Sequence, residues 1–297
     1  MSEPGTRVRR EGDEVRVDLD GGALHLPGAE LPGPLLDWID AGRRETYRAL
    51  AAGATHGSGA DFFAQHLPVL VTLRRGSAFA FGCANKGVGY LPRPERLEEF
   101  SALYRRAAES ARGRPARETL EERLAAASRF GFDRSAVDPR CLGSLEIFEG
   151  ETLENLRRHP LAALLFTGHR PTYLSYQVDC AVEILEPGDP RFEFLRLARV
   201  LFEYDGFHVA QPRFRFAYVF WVCEARAKTP RRVRVESNGV PGVPWEPGAD
   251  RILDGVAAER RDDVRREVER YALERGYASV SRELAEEALA AMRLAGP

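Results

Sequence analysis

The part of this chain that most restricts its fold is a block of period-two alternation between residues 141 and 230. It is broken by one short helical segment and one sharp turn. Leu145–Phe148 reads as a strand. Thr152–Arg158 reads as a short helix that must stop before Pro160, because the residue ahead of a proline is pushed out of the α region. Leu161–Phe166 reads as a buried strand and Tyr173–Leu185 as a long one. Pro187-Gly188-Asp189-Pro190 is a turn, followed by a helix over Arg191–Tyr204 and a final strand over Arg213–Ala227. In that last strand Phe214, Phe216, Tyr218 and Phe220 share one face and Arg213 and Arg215 the other.

The flanks add further elements. Val15, Val17 and Leu19 alternate with charged residues and predict a strand, and Ala23–Leu26 predicts its hairpin partner across Gly21-Gly22. Pro34 to Ala52 has helical spacing. Pro68–Leu73 and Ser77–Cys83 predict a hairpin around Arg74-Arg75-Gly76, and Val88–Leu91 a continuation of that sheet. Glu95 to Phe130 predicts a helical insertion, broken near Gly113-Arg114-Pro115. After a proline- and glycine-rich stretch, Trp245 opens an all-helical tail in which Gly276 ends one helix and Ser281 begins the last. The expected organisation is an N-terminal hairpin and helix (1–60), a central domain (61–232, with the insertion at 95–130), a linker (233–244) and a helical domain (245–297).

Several function classes are disfavoured. The net charge is −2 and the pI is near 6.4, which argues against a generally basic nucleic-acid binder. A local excess of six positive charges at 191–234 is explained by aromatics facing inward and arginines outward. The apolar runs are short, so no membrane-spanning helix is expected, and the N-terminal residues lack the apolar core of a secretory signal. The four cysteines, 83, 141, 180 and 223, have no metal or redox spacing and read as reduced thiols of a cytoplasmic protein. Only Lys86 and Lys228 are lysines, which reads as genomic base bias. No Walker loop, dinucleotide fingerprint or Ser-His-Asp order is present.

The string SLEIFEGETLENLRRHPLAALLF, followed by SYQVDCAVEIL, resembles the second half of the pyridoxamine-phosphate-oxidase-like, flavin-binding split barrel. Asn155, Leu156, Arg157 and Pro160 fit that family's short helix, and Val178, Val182 and Glu183 its returning strand. The resemblance implies a modified antiparallel split β-barrel of the α+β class, working as a homodimer. It implies FMN in the groove between two copies and places Thr152, Asn155, Arg157, Ser175 and Gln177 near it. Where oxidases of the family carry an Arg-Lys pair at the helix start, this chain has Glu151 and Thr152, good first-turn residues for a helix. Some split barrels hold haem through a histidine, and His208 is the residue available for that alternative.

The tail resembles the small helical domain at the C-terminus of a light-independent protochlorophyllide reductase subunit. Leu253, Val256, Arg261, Arg265, Val268, Glu269, Tyr271 and Ala272 stand at pattern positions. The resemblance implies a three-helix domain that docks a protein partner or lies near a tetrapyrrole. The expected function is a cofactor-binding, oxidoreductase-like protein carrying FMN. The alternative is a non-catalytic protein that binds haem or another tetrapyrrole.

Overall fold

The computed structural model describes residues 8–19, 21–53, 65–74, 76, 78–168, 174–202, 214–228 and 243–294. At the N-terminus, Gly12 takes φ +64°, a left-handed conformation that favours glycine, and folds β1 (Val8–Glu11) onto β2 (Glu14–Leu19). β2 pairs with β3 (Gly22–Pro27) in the expected hairpin, Val15 opposite Leu26 and Val17 opposite Leu24. β1 is an addition to the predicted elements. Its sequence, Val-Arg-Arg-Glu, buries only Val8, too little alternation to read. α1 (Gly33–Ala51) follows, with proline in its first turn, where the missing N–H costs nothing.

The larger sheet has six strands in the order β5-β4-β7-β8-β9-β6, every neighbouring pair antiparallel. They are β4 (Val69–Leu73), β5 (Phe81–Asn85), β6 (Cys141–Leu145), β7 (Leu161–Thr167), β8 (Ser175–Leu185) and β9 (Ala217–Ala227). α2 (Leu97–Ala111) and α3 (Ala116–Gly131) form the insertion. α4 (Glu151–Arg158) precedes β7, and α5 (Pro190–Val200) links β8 to β9. Four residues past β5, Gly89 exchanges two 2.8 Å backbone hydrogen bonds with Gly143 of β6. The chain leaving one edge strand therefore returns to the other, and the sheet curls. Leu70, Leu164, Val178, Val182, Phe220 and Leu142, one from each of β4, β7, β9 and β6 and two from β8, are buried. The three-stranded sheet packs Val8, Val15 and Val17 against Ala181 and Trp221 of β8 and β9.

Three expectations need correction. The strand set at Leu145–Phe148 lies instead at Cys141–Leu145. Past it, the Glu146 carboxylate accepts the backbone N–H groups of Phe148 and Glu149 (3.0 Å each), and Glu149 turns the chain at φ +48°. Val88–Leu91 makes only the Gly89 bridge to β6 rather than a strand. The last strand begins at Ala217, so Phe214 and Phe216 precede it, each beneath a guanidinium, Arg199 and Arg157.

The chain divides into two compact units, the smaller being C-terminal. Trp245 and Val280 form a parallel bridge there. A 3-10 segment (Ala249–Gly255), α6 (Arg261–Glu274) and α7 (Arg282–Leu294) enclose Val268, Ala272, Val280, Leu284, Ala285 and Ala288. Gly276 ends α6 at φ +74°, and the Ser281 hydroxyl accepts the Leu284 N–H at 3.2 Å, both as expected. The α+β class with antiparallel sheets and helical insertions is the class expected.

Candidate functional site

Arg43 and Tyr47 stand four residues apart on α1, so they share a helix face. Tyr104 of α2, Phe130 of α3 and Phe194 of α5 meet them from the other helices, with Tyr104 stacked on Phe194 at 5.1 Å between ring centroids. Phe130 is edge-on to Phe194 at 5.2 Å. These rings do not close completely against Lys86–Tyr90 and β6. A cavity of about 570 Å³ remains inside the larger unit, the size of a site for a small organic molecule.

The charged groups on the cavity wall are of one sign: among the described residues Arg43, Lys86 and Arg199 line it and no carboxylate does, beside the neutral Gln65, Asn85 and Ser144. Lys86 is neutralised beneath the wall: its ammonium donates to Glu146 at 2.7 Å. Tyr218 donates to the same carboxylate oxygen. Burial pushes Glu146 upward, but the Lys86 charge, with the hydrogen bonds from Lys86, Tyr218 and Phe148, holds it below the ordinary carboxylate range. Burial and the Glu146 charge push the Tyr218 phenol far up, so it remains a donor. Nearby, buried Asp40 is satisfied by the Tyr90 hydroxyl (3.0 Å) and Arg134 (2.9 Å). That leaves Arg43 without a carboxylate among the described residues; its guanidinium lies 3.9 Å from the centroid of the Tyr90 ring.

The residues expected from sequence lie elsewhere. Asn155 is buried and donates to the Thr72 hydroxyl at 3.1 Å, tying α4 to β4. Glu151 forms an ion pair with Arg74. Gly150, not a side-chain cap, stands at the N-cap, and Thr152 is in the first turn of α4. Arg157 is exposed, its guanidinium 4.7 Å from the centroid of the Phe216 ring. Ser175 donates to the Phe166 carbonyl (3.1 Å), and Gln177 to Asp179 (2.7 Å). Thr72 pairs with Ala162 and Ser175 with Thr167, five residues further along β7. Gln177 pairs with Leu165, so at about 3.3 Å per residue Gln177 and Ser175 lie roughly 10 and 16 Å along that strand from the Thr72 that holds Asn155. His208 lies outside the described residues. Sequence reading missed Arg43, Tyr47 and Tyr104. Lys86 carried one signal, as one of two lysines in a chain whose other cations are arginine.

Among the described residues no three metal-binding side chains cluster, and no helix is long and apolar enough to cross a membrane. No family model matches any part of the chain, and no curated protein matches it in sequence. Several solved structures are similar. A pyridoxamine 5'-phosphate oxidase-like protein from Listeria innocua is 10% identical, covering 66% of this chain and 99% of its own, with a TM-score of 0.34. One from Lactobacillus delbrueckii is 17% identical, covering 58% and 93%, with a TM-score of 0.30. An FMN-binding protein from Syntrophomonas wolfei is 10% identical, covering 67% and 95%, with a TM-score of 0.32. At such scores the likeness carries no cofactor or activity from those proteins to this chain.

Proposed function

We propose that this protein binds a flavin-class cofactor, FMN first among the candidates, and works as an oxidoreductase-like protein with the cavity of the larger unit as the holding site. The observation behind this reading is the cavity itself: about 570 Å³, aromatic walls, two arginines besides the paired Lys86, and no carboxylate among the described lining residues. A flat ring system bearing one anionic tail is complementary to such walls. The start of α4 fits a phosphate poorly. The Glu151 carboxylate stands in its first turn and engages Arg74, and Asn155 is committed to Thr72. When bound, a flavin supplies electron-transfer chemistry from its own ring. The chain's part is to exclude water, hold the ring among Tyr47, Tyr104 and Phe130, and offset the negative tail. We take the working form to be a homodimer.

The test is an absorption spectrum of the purified protein followed by FMN titration. Bands near ~370 and ~450 nm are expected with flavin bound. Ala198 lines the cavity, so Ala198→Trp should fill it and weaken FMN binding about tenfold or more. Failure of the wild type to take up FMN, or equal uptake by Ala198→Trp, would overturn the reading. A haem Soret band in place of flavin bands would replace FMN with a tetrapyrrole.

A further inference from the structure

A phenol hydroxyl that lines a cavity and has no protein partner can bond to whatever fills the cavity. Tyr104 is 4% exposed, lines the cavity, and its hydroxyl has no hydrogen-bond partner among the described residues. The half-buried Tyr47 on the same wall is in the same position. Burial pushes both phenols up, and both lie close enough to Arg43 to feel its charge. Arg43 is oriented by the Tyr90 ring, while the nearest buried carboxylate, Asp40, is consumed by Arg134 and Tyr90. Arg43, which has no carboxylate partner among the described residues, and the two phenol hydroxyls thus line one aromatic chamber whose described wall holds neutral polar groups but no carboxylate. A guanidinium beside two hydroxyl donors suits a ligand with an anionic acceptor group.

We propose that the cavity is an oxyanion-receiving site, in which an aromatic ligand's carboxylate, sulfonate or phosphate group is held by the Arg43 guanidinium and the Tyr47 and Tyr104 hydroxyls. This rests on the cavity being the ligand site and names the class of ligand it takes. The ligand's apolar body lies against Phe130 and Phe194, and its charge points toward α1. The anion is therefore taken up at the helical face of the larger unit, and α4 has no part in holding it.

Two probes of similar ring size separate charge from ring binding: 8-anilinonaphthalene-1-sulfonate, an anion, and N-phenyl-1-naphthylamine, which is neutral. Both are titrated by fluorescence into the full chain. The wild type should prefer the sulfonate, and added salt should erode that preference. Arg43→Met should weaken sulfonate binding about tenfold, the size expected for losing a charge-assisted contact, and leave the neutral probe nearly unchanged. Tyr104→Phe removes one hydroxyl and little else. It should weaken the sulfonate a fewfold in a protein whose near-ultraviolet circular dichroism is unaltered. Arg43→Lys should keep part of the preference. Equal affinity for both probes, a parallel loss of both in Arg43→Met, no binding of either, or sulfonate binding unaffected by Ala198→Trp would each overturn the proposal. FMN and riboflavin titrations separate it from the flavin reading. Sulfonate selectivity without FMN uptake sinks only the flavin. Equal uptake of FMN and riboflavin, with equal probe affinities, sinks only the oxyanion site.

Discussion

Glu146 is 3% exposed, and four donors converge on its carboxylate: Lys86, Tyr218 and the backbone N–H groups of Phe148 and Glu149. A buried ion pair gains little over apolar packing, but breaking one side leaves an uncompensated charge, typically at a cost of about 3–5 kcal/mol. Glu146→Gln should therefore lower unfolding free energy by about 3 kcal/mol or more in urea titrations. The same group sets an acid limit. Its folded pKa is depressed below the ordinary value of 4.5. Its contribution is thus complete above the unfolded pKa and is lost as pH falls through the folded one. Wild-type stability should drop as pH falls below about 4.5, and Glu146→Gln should drop less steeply. Parallel acid profiles for the two proteins would assign that loss to other carboxylates.

At the scale of elements, α5 is held at its start by Asp189. Its carboxylate accepts the Arg191 N–H at 2.8 Å, with Pro190 in the first turn. Arg191 then reaches Glu183 of β8 with two bonds of 2.7 and 2.8 Å, and Trp221 of β9 donates to the same Glu183 at 2.9 Å. One turn thereby fixes a helix onto two strands. Asp189→Ala should cost about 1–2 kcal/mol, the upper range for a cap, read as a lower denaturation midpoint at unchanged slope. Further along, α5 crosses β6 at Gly143, where an added Cβ would lie 2.6 Å from Leu195 Cδ2. Gly143→Val should cost about 1–3 kcal/mol through overpacking. The turn at 187–190 and the helix and strand after it were legible because proline, glycine and alternation act locally. The shift of β6 by four residues was not. Glu146, Ile147 and Phe148 alternate like a strand, and the long-range bonds from Lys86 and Tyr218, with the turn that Glu146 caps at Phe148 and Glu149, end the sheet there.

At the scale of the whole molecule, the sheet was more legible than the site. Alternation tells which face of a strand is buried, but not whether the rings meeting there fill the space between them. Arg43, Tyr47, Lys86 and Tyr104 come from separate elements and belong to no motif, so nothing short of the packed fold unites them. A further surface has a consequence for assembly. Among the described strands β5 pairs with β4 alone, and Phe81 on it is 61% exposed, with Phe79 just before it 77% exposed. Edge strands that stay single usually carry charge, proline or a bulge to prevent pairing. Phe81-Gly82-Cys83-Ala84-Asn85 has no charge and no proline. An uncharged aromatic edge is the kind of surface a second copy of the chain would cover. In sedimentation equilibrium the wild type should behave as a dimer at micromolar concentration. Phe81→Glu should shift it to monomer, because two like charges would then face each other across a two-fold contact. Its cavity ligand affinity should stay the same, since the cavity lies within one chain. A wild type that is monomeric at these concentrations, or a Phe81→Glu dimer as tight as the wild type, would remove β5 as the contact. A Phe81→Glu monomer that also lost its ligand would move the site out of the cavity and into the groove between two copies.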